Sequence, residues 1–168
     1  MLQEIWNPVH EFPAYIVSNH GRVMNVETER FKTPSANQQG IPSVNFIKEG
    51  IQYRRSVALL VAQTFLHMRA DRPHFDCPIN LDGDRFNNRV DNLMWRPRHF
   101  AVKYHRQFNQ PIPFGFNAPV ALIGTDRVYE TVREAAKDLG LLEKEIIMSI
   151  HQHVPTFPEW DSFELVSP

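Results

Sequence analysis

The 168-residue chain predicts an α+β fold, with small antiparallel sheets interleaved with short helices. Three observations carry that expectation. Brief β-type runs such as Tyr15-Ile16-Val17 and Pro119-Val120-Ala121-Leu122-Ile123 are closed by turns rich in Asn, Asp and Gly. Val57 to Leu66 has the apolar density of a buried helix. Thr131, with Glu134 three residues on, forms a capping box that opens another helix.

Taken in order, Tyr15-Ile16-Val17 is a strand, Ser18-Asn19-His20-Gly21 a turn and Arg22 to Val26 the returning strand. Pro34 to Gly40 is a polar loop. Ile41 to Phe46 and Ile51 to Val57 pair across Lys48-Glu49-Gly50, and the apolar helix follows. Arg69 to Pro78 is a proline-containing connection. Asn80 to Trp95 holds Asp-Gly-Asp and Asn-Asn, residues that tolerate left-handed backbone and bond their own chain. Leu93-Met94-Trp95 is apolar enough for a short buried strand. Pro97 suits the first position of a helix that can run to Phe108. Asn109 to Asn117 reads as an extended linker. A hairpin comes next, 119–123 returning through Arg127-Val128-Tyr129. A helix over 132–139 then ends at Gly140, and a second runs from Leu141 to His151. Leu142, Ile146, Ile147 and Ile150 of that second helix face the first. Phe163 to Val166 closes as a strand. The expected organisation is a domain over 1–108, a linker over 109–118 and a smaller module over 119–168.

The length is sufficient for a real core. No run approaches the roughly 20 apolar residues of a membrane span. Met1 to Trp6 lacks the basic-then-apolar layout of a signal peptide. One cysteine, Cys77, excludes an internal disulfide and a multi-cysteine zinc site, so a cytoplasmic location is expected. Formal net charge is −1, yet its distribution is uneven. Residues 1–56 carry six basic against five acidic side chains, 57–110 eight against five, and 111–168 four against nine. Within the 22 residues 85–106, Arg85, Arg89, Arg96, Arg98, Lys103 and Arg106 face Asp91 alone, with Trp95, Phe100 and Tyr104 interleaved. On a helix from Pro97, Arg98, Ala101 and His105 share one face, and Phe100, Lys103 and Tyr104 another. Such a basic surface suits phosphate contacts, which give affinity without reading sequence.

Leu81-Asp82-Gly83, Asn87-Asn88, Asn92-Leu93 and Trp95 fall in register with one another in a way that resembles the ββα-metal core of HNH homing endonucleases of the phage and intron type. Trp6, Phe12-Pro13, Tyr15, Val17-Ser18-Asn19 and Gly21-Arg22-Val23 resemble the module that precedes such cores. Pro119-Val120, Val132-Arg133-Glu134-Ala135-Ala136, Leu139-Gly140 and Phe163-Glu164 resemble the hairpin and helix-turn-helix that end many of them. The resemblance therefore covers nearly the whole chain and implies a DNA-binding endonuclease ancestor, in a prokaryotic host cell.

The same register shows where the catalytic pattern is lost. The family's catalytic His falls at Asn80, the metal-binding Asp before it at Ile79, and the distal ligand at Ala101. Asn92 alone is kept, with His99 a weak substitute ligand nearby. A carboxamide does not take a proton from water, and neither Ile nor Ala can hold a cation. No metal is expected to bind, magnesium or manganese being implied only if cleavage persists. The expected function is a DNA-binding pseudoenzyme with a regulatory or blocking role and double-stranded DNA as partner. Two alternatives stand beside it: a metal-dependent nicking endonuclease with a rearranged site, and a module binding a phage or host protein through the acidic C-terminal third. The second helix of the C-terminal module begins Glu143-Lys144-Glu145, and two carboxylates there would repel phosphates.

Overall fold

The computed structural model describes residues 3–68, 70–109 and 118–166. The chain divides into two compact units, Met1–Arg98 and His99–Pro168. The expected linker over 109–118 lies, apart from its ends, outside the described residues.

In the first unit, β1 (Trp6–Val9), β2 (Phe12–Ser18), β3 (Val23–Asn25) and β4 (Arg30–Lys32) form an antiparallel sheet in chain order. A second sheet joins β5 (Ser35–Ala36), β6 (Pro42–Lys48) and β7 (Ile51–Ser56). Strands β4 and β5 are additions to what the sequence predicts. Arg30–Lys32 and Ser35–Ala36 have little apolar content of their own and are strands because β3 and β6 offer edges to pair with. α1 (Val57–Phe65) has no side-chain cap and no acidic residue in its first turn. It is held instead by burying Val57, Leu60, Val61 and Ala62. β8 (Cys77–Asn80) then pairs antiparallel with β9 (Leu93–Arg96), from Cys77 opposite Arg96 to Asn80 opposite Leu93. β8 thus takes Cys77 and Pro78 from the stretch expected to be a connection.

These pieces share one core. Phe12 stacks on Phe46 at 4.6 Å between centroids and Tyr15 meets the same ring edge-on at 4.6 Å. The Tyr15 hydroxyl accepts the Ile47 N–H at 3.2 Å. Leu93 and Trp95 of β9 are buried in the same cluster, so the strand beside the Asn80–Trp95 loop is anchored in the N-terminal module. Two further contacts tie the loop down. Val90 N–H donates to Asn19 O at 2.9 Å, while the Asn19 side chain accepts from Ile5 N–H at 2.9 Å and donates to Gln3 O at 3.0 Å. Gly21, at φ +84°, lies so close that a β-carbon there would sit 3.0 Å from both Asn88 Cβ and Asn88 O. On the outer face Arg22 lies over the rings of Trp6 and Phe31 at 5.3 and 5.2 Å and is ion-paired with Glu4. Its guanidinium holds the Glu4 carboxyl down to about 2, from 4.5. The stabilisation from this depressed carboxyl is present above pH 4.5 and lost as pH falls towards 2.

The second unit holds α2 (Arg98–Gln107) from His99 on, β10 (Val120–Leu122), β11 (Val128–Tyr129), α3 (Val132–Leu139), α4 (Glu143–Gln152) and β12 (Phe163–Leu165), with sheet order β11-β10-β12. Thr131 caps α3 as expected, its hydroxyl accepting Glu134 N–H at 3.1 Å, and the Glu134 carboxylate reaches back to Glu130 N–H at 3.1 Å. Gly140 ends α3 in the left-handed region at φ 61°. Val120, Val132, Ala135, Ala136, Leu141, Ile146, Ile150 and Phe163 form the core between sheet and helices. α2, grouped by sequence with the preceding domain, is bonded to this unit. Tyr104 Oη donates to Ala136 O at 3.2 Å, Gln107 Nε2 to Leu141 O at 3.2 Å, and Glu143 N–H to Gln107 Oε1 at 2.9 Å.

Gly21→Ala is expected to cost about 2 kcal/mol, the left-handed strain plus displacement of Asn88. Gly50→Ala, also left-handed but with no atom within 4 Å of the new methyl, is expected to cost about 1 kcal/mol. Urea unfolding of the two variants measures the difference, which equal losses would reduce to nothing.

Candidate functional site

The loop between β8 and β9 is built on the Asp82 carboxylate. Its Oδ1 accepts from Asn92 Nδ2 at 2.9 Å and from Asp84 N–H at 2.9 Å, and its Oδ2 accepts from Asn87 Nδ2 at 2.6 Å. Asn92 closes the lattice from the other side, donating to Asn87 O at 2.8 Å and accepting Asp82 N–H at 3.1 Å. Its backbone O takes Leu81 N–H at 2.8 Å. The Asx turns follow in series, since Asp84 Oδ1 accepts Phe86 N–H at 2.9 Å. Asn92 therefore holds the loop.

Asn80 is 3% exposed. Its Nδ2 donates to Asn87 O at 2.9 Å and to Asn88 Oδ1 at 3.1 Å. A carboxamide nitrogen has no basic lone pair, and this one is committed as a double donor, so it cannot serve as a general base. Ile79 is wholly buried opposite Met94. Ala101 is buried and carries no ligating atom. Among the described residues no group of three or more His, Cys, Asp or Glu side chains could hold a cation. The residues at these positions do not fit a divalent metal. His99 is exposed and stacks on Phe157 at 5.7 Å. Cys77 is half-buried, and burial pushes its thiol upward, with Arg98 opposing, so it is a poor nucleophile at neutral pH.

The six basic residues separate into two groups. Arg96 is 3% exposed; its guanidinium donates to Trp95 O at 3.1 Å and lies over the Phe75 ring at 5.8 Å. It is a packing residue, which corrects its expected place on a DNA-facing surface: it lies on the face of β9 opposite to Trp95 and is covered there, over the Phe75 ring. Arg89 is paired with Asp91 through two hydrogen bonds of 3.1 Å. Arg85 is half-buried, and desolvation lowers its pKa, the Cys77 thiol opposing. Arg98, Lys103 and Arg106 are exposed on α2.

The face expected for α2 also needs correction. Phe100, Ala101, Tyr104 and His105 are the buried residues, at the i, i+1, i+4, i+5 spacing of an inward stripe. The His105 ring Nδ1 lies 3.0 Å from Ala101 O. Arg98, His99, Val102, Lys103 and Arg106 share the opposite arc. Lys103 was expected beside Phe100 and Tyr104, and His105 beside Arg98. Tertiary burial of the aromatic pair rotates both assignments. α2 contains no acidic residue, so the cations Arg98, Lys103 and Arg106 of its outward arc meet no carboxylate on the helix.

Glu143 is the third correction. It does not point at a ligand from the start of α4 but is buried, with its carboxylate 2.6 Å from Arg133 Nε. The expected repulsion of phosphates from α4 therefore has one carboxylate fewer. Leu142 is the residue before α4 rather than part of its apolar stripe, which Ile146 and Ile150 supply with Ile147 packed beside them.

With the geometry described, the chain falls in the class of HNH-endonuclease-like folds. Its structure is similar to that of the HNH homing endonuclease I-HmuI, with a TM-score of 0.52 and 18% identity over 98% of this chain and 99% of that one. Residues 4–47 match the NUMOD4 motif, longer than the 30 or so residues expected and taking in β1 to β6. The chain is 34% identical over 95 residues to the uncharacterised HNH endonuclease L247 of Acanthamoeba polyphaga mimivirus, covering 55% of this chain and 23% of that protein. It is 20% identical over 144 residues to L245 of the same virus, covering 83% and 42%. The chain thus spans less than half the length of these curated relatives. They are mimiviral, so a bacteriophage source rests on the sequence pattern alone. The resemblance read from the sequence is borne out in its fold and its relatives. No described helix is long and apolar enough to cross a membrane.

Asn92→Ala removes the amide that joins Asp82 to Asn87. It is expected to cost about 2–3 kcal/mol of stability. Amide exchange should lose its protection first at Asp82, whose N–H bonds the Asn92 side chain. Unchanged exchange there would show that the loop stands without Asn92.

Proposed function

We propose that this chain is a DNA-binding protein derived from an HNH homing endonuclease, which holds duplex DNA without cutting it and so blocks or regulates access to its site. One observation carries the reading: Asn80 and Ile79, at the positions where a base and a metal ligand are needed, are buried beside the Asp82–Asn92 loop, and Ala101, at the distal ligand's position, is buried on α2. Supporting it, I-HmuI is described as binding and cleaving DNA. Here the binding half of that pair has physical support in the acid-free outward arc of α2. Arg98, Lys103 and Arg106 contact phosphates, and Arg85 extends the basic surface of the first unit. Loss of a general base alone lowers rate by about 10²–10⁴-fold.

A second reading, a nicking endonuclease with a rearranged site, is favoured by the intact Asn92 lattice and by relatives named as HNH endonucleases. A plasmid-nicking assay with magnesium or manganese separates the two.

Wild-type chain is expected to bind mixed-sequence duplex with salt-sensitive affinity and to leave plasmid supercoiled with either metal. Replacing Arg98, Lys103 and Arg106 together by Ala should lower the slope of log K against log salt by about 3. Arg89→Ala, which removes an already paired charge, should change it little. Binding with no dependence on salt contradicts the phosphate contacts. Nicking that Asn92→Ala abolishes while DNA binding persists establishes the enzyme.

A further inference from the structure

The segment following α4 carries an aromatic that the fold does not use. Trp160 is 67% exposed, and its backbone sits in the left-handed region at φ 65°, where a bulky side chain is disfavoured. The tip is closed by two backbone hydrogen bonds, Trp160 N–H to Thr156 O at 2.8 Å and Thr156 N–H to Asp161 O at 2.7 Å. Its base is anchored by Phe163 N–H donating to Ser149 Oγ at 3.0 Å. The indole is therefore presented from a braced turn.

The rings below it lead to the basic helix. Trp160 meets Phe157 edge-on at 6.4 Å, Phe157 stacks on His99 at 5.7 Å, and Phe100 backs Phe157 at 6.1 Å. His99 belongs to the outward arc of α2, with Lys103 one turn on and Arg106 two turns on. Aromatic tip, imidazole and cations follow one another within a single compact unit. Glu159 and Asp161 flank the indole in sequence and disfavour a phosphate at the tip itself. What the tip offers is a neutral π face, and the adjoining helix offers positive charge.

We infer that Trp160, backed by Phe157 and His99, is a stacking wedge for a nucleobase, inserted at a base step or against an unpaired base while Lys103 and Arg106 hold the neighbouring phosphates. Apolar and aromatic wedges of this kind open base steps at a cost that is smallest where the base is already mismatched or unpaired. The inference rests on the proposed DNA binding and names the part of the surface that reads bases.

The test uses the full chain with a short mixed-sequence duplex and the same duplex carrying one mismatch. Indole emission of the wild type should be quenched on saturation, and tighter binding is expected for the mismatched duplex. Trp160→Phe should abolish the quenching, which assigns it among Trp6, Trp95 and Trp160, while keeping affinity near that of the wild type. Trp160→Ala should weaken binding about 5- to 100-fold with the salt slope unchanged. Thermal unfolding of both variants checks that an exposed substitution leaves the fold intact. Unaltered affinity in Trp160→Ala, with wild-type emission insensitive to bound DNA, overturns the wedge and leaves DNA binding standing. Failure of the wild type to bind either duplex overturns both.

Discussion

The Asp82 carboxylate is the constraint on which the middle of this molecule depends. A single charged group accepts from Asn87, Asn92 and the Asp84 N–H, and hydrogen bonds to a charged acceptor are stronger than neutral ones. Asn92 reaches both the start and the end of the loop. The backbone between β8 and β9 is therefore over-determined by side chains. Its shape is set by these side-chain hydrogen bonds. The groups that shape this loop are side chains of the loop itself.

The residues to which the proposed reading assigns the base and metal-ligand positions show the complementary side. Asn80 fills a buried place and donates inward to Asn87 O and Asn88 Oδ1. Ile79 is fully buried on β8, and Ala101 lies in the inward stripe of α2. Each of the three is a packing residue. Burying an unpaired carboxylate or imidazole at the same places would cost several kcal/mol. Under the proposed reading, in which cleavage is not required, stability alone favours the residues found at these positions.

Much of this was legible in the sequence. The Asn, Asp and Gly spacing of Asn80–Trp95 is a local code, since each side chain bonds its own stretch, and the loop followed from it. The Thr131–Glu134 box and the Gly140 stop are equally local and appear as read. What was not legible depended on distant partners. β4 and β5 exist through the edges they pair with, and Arg96, on the face of β9 opposite to Leu93 and Trp95, is buried over Phe75, a residue about twenty positions earlier. The burial of Glu143 needs Arg133, ten residues earlier on α3. Charge counting alone could not tell a carboxylate facing a ligand from one facing a guanidinium.

That distinction also changes the meaning of the charge asymmetry. By segment, the C-terminal third looks acidic and the middle basic. By structural unit, α2 belongs with the acidic part of the chain. The acids of that part are partly committed, Glu143 to Arg133 and Asp138 to Arg127 and Tyr129. The cations of α2 are displayed on one arc with no carboxylate on the helix. Association with a polyanion follows the local field over a patch within about a Debye length, near 8–10 Å, rather than the sum over the chain. A net charge of −1 is therefore compatible with a phosphate-binding surface, and pairing of the acids elsewhere in the unit is what makes it so.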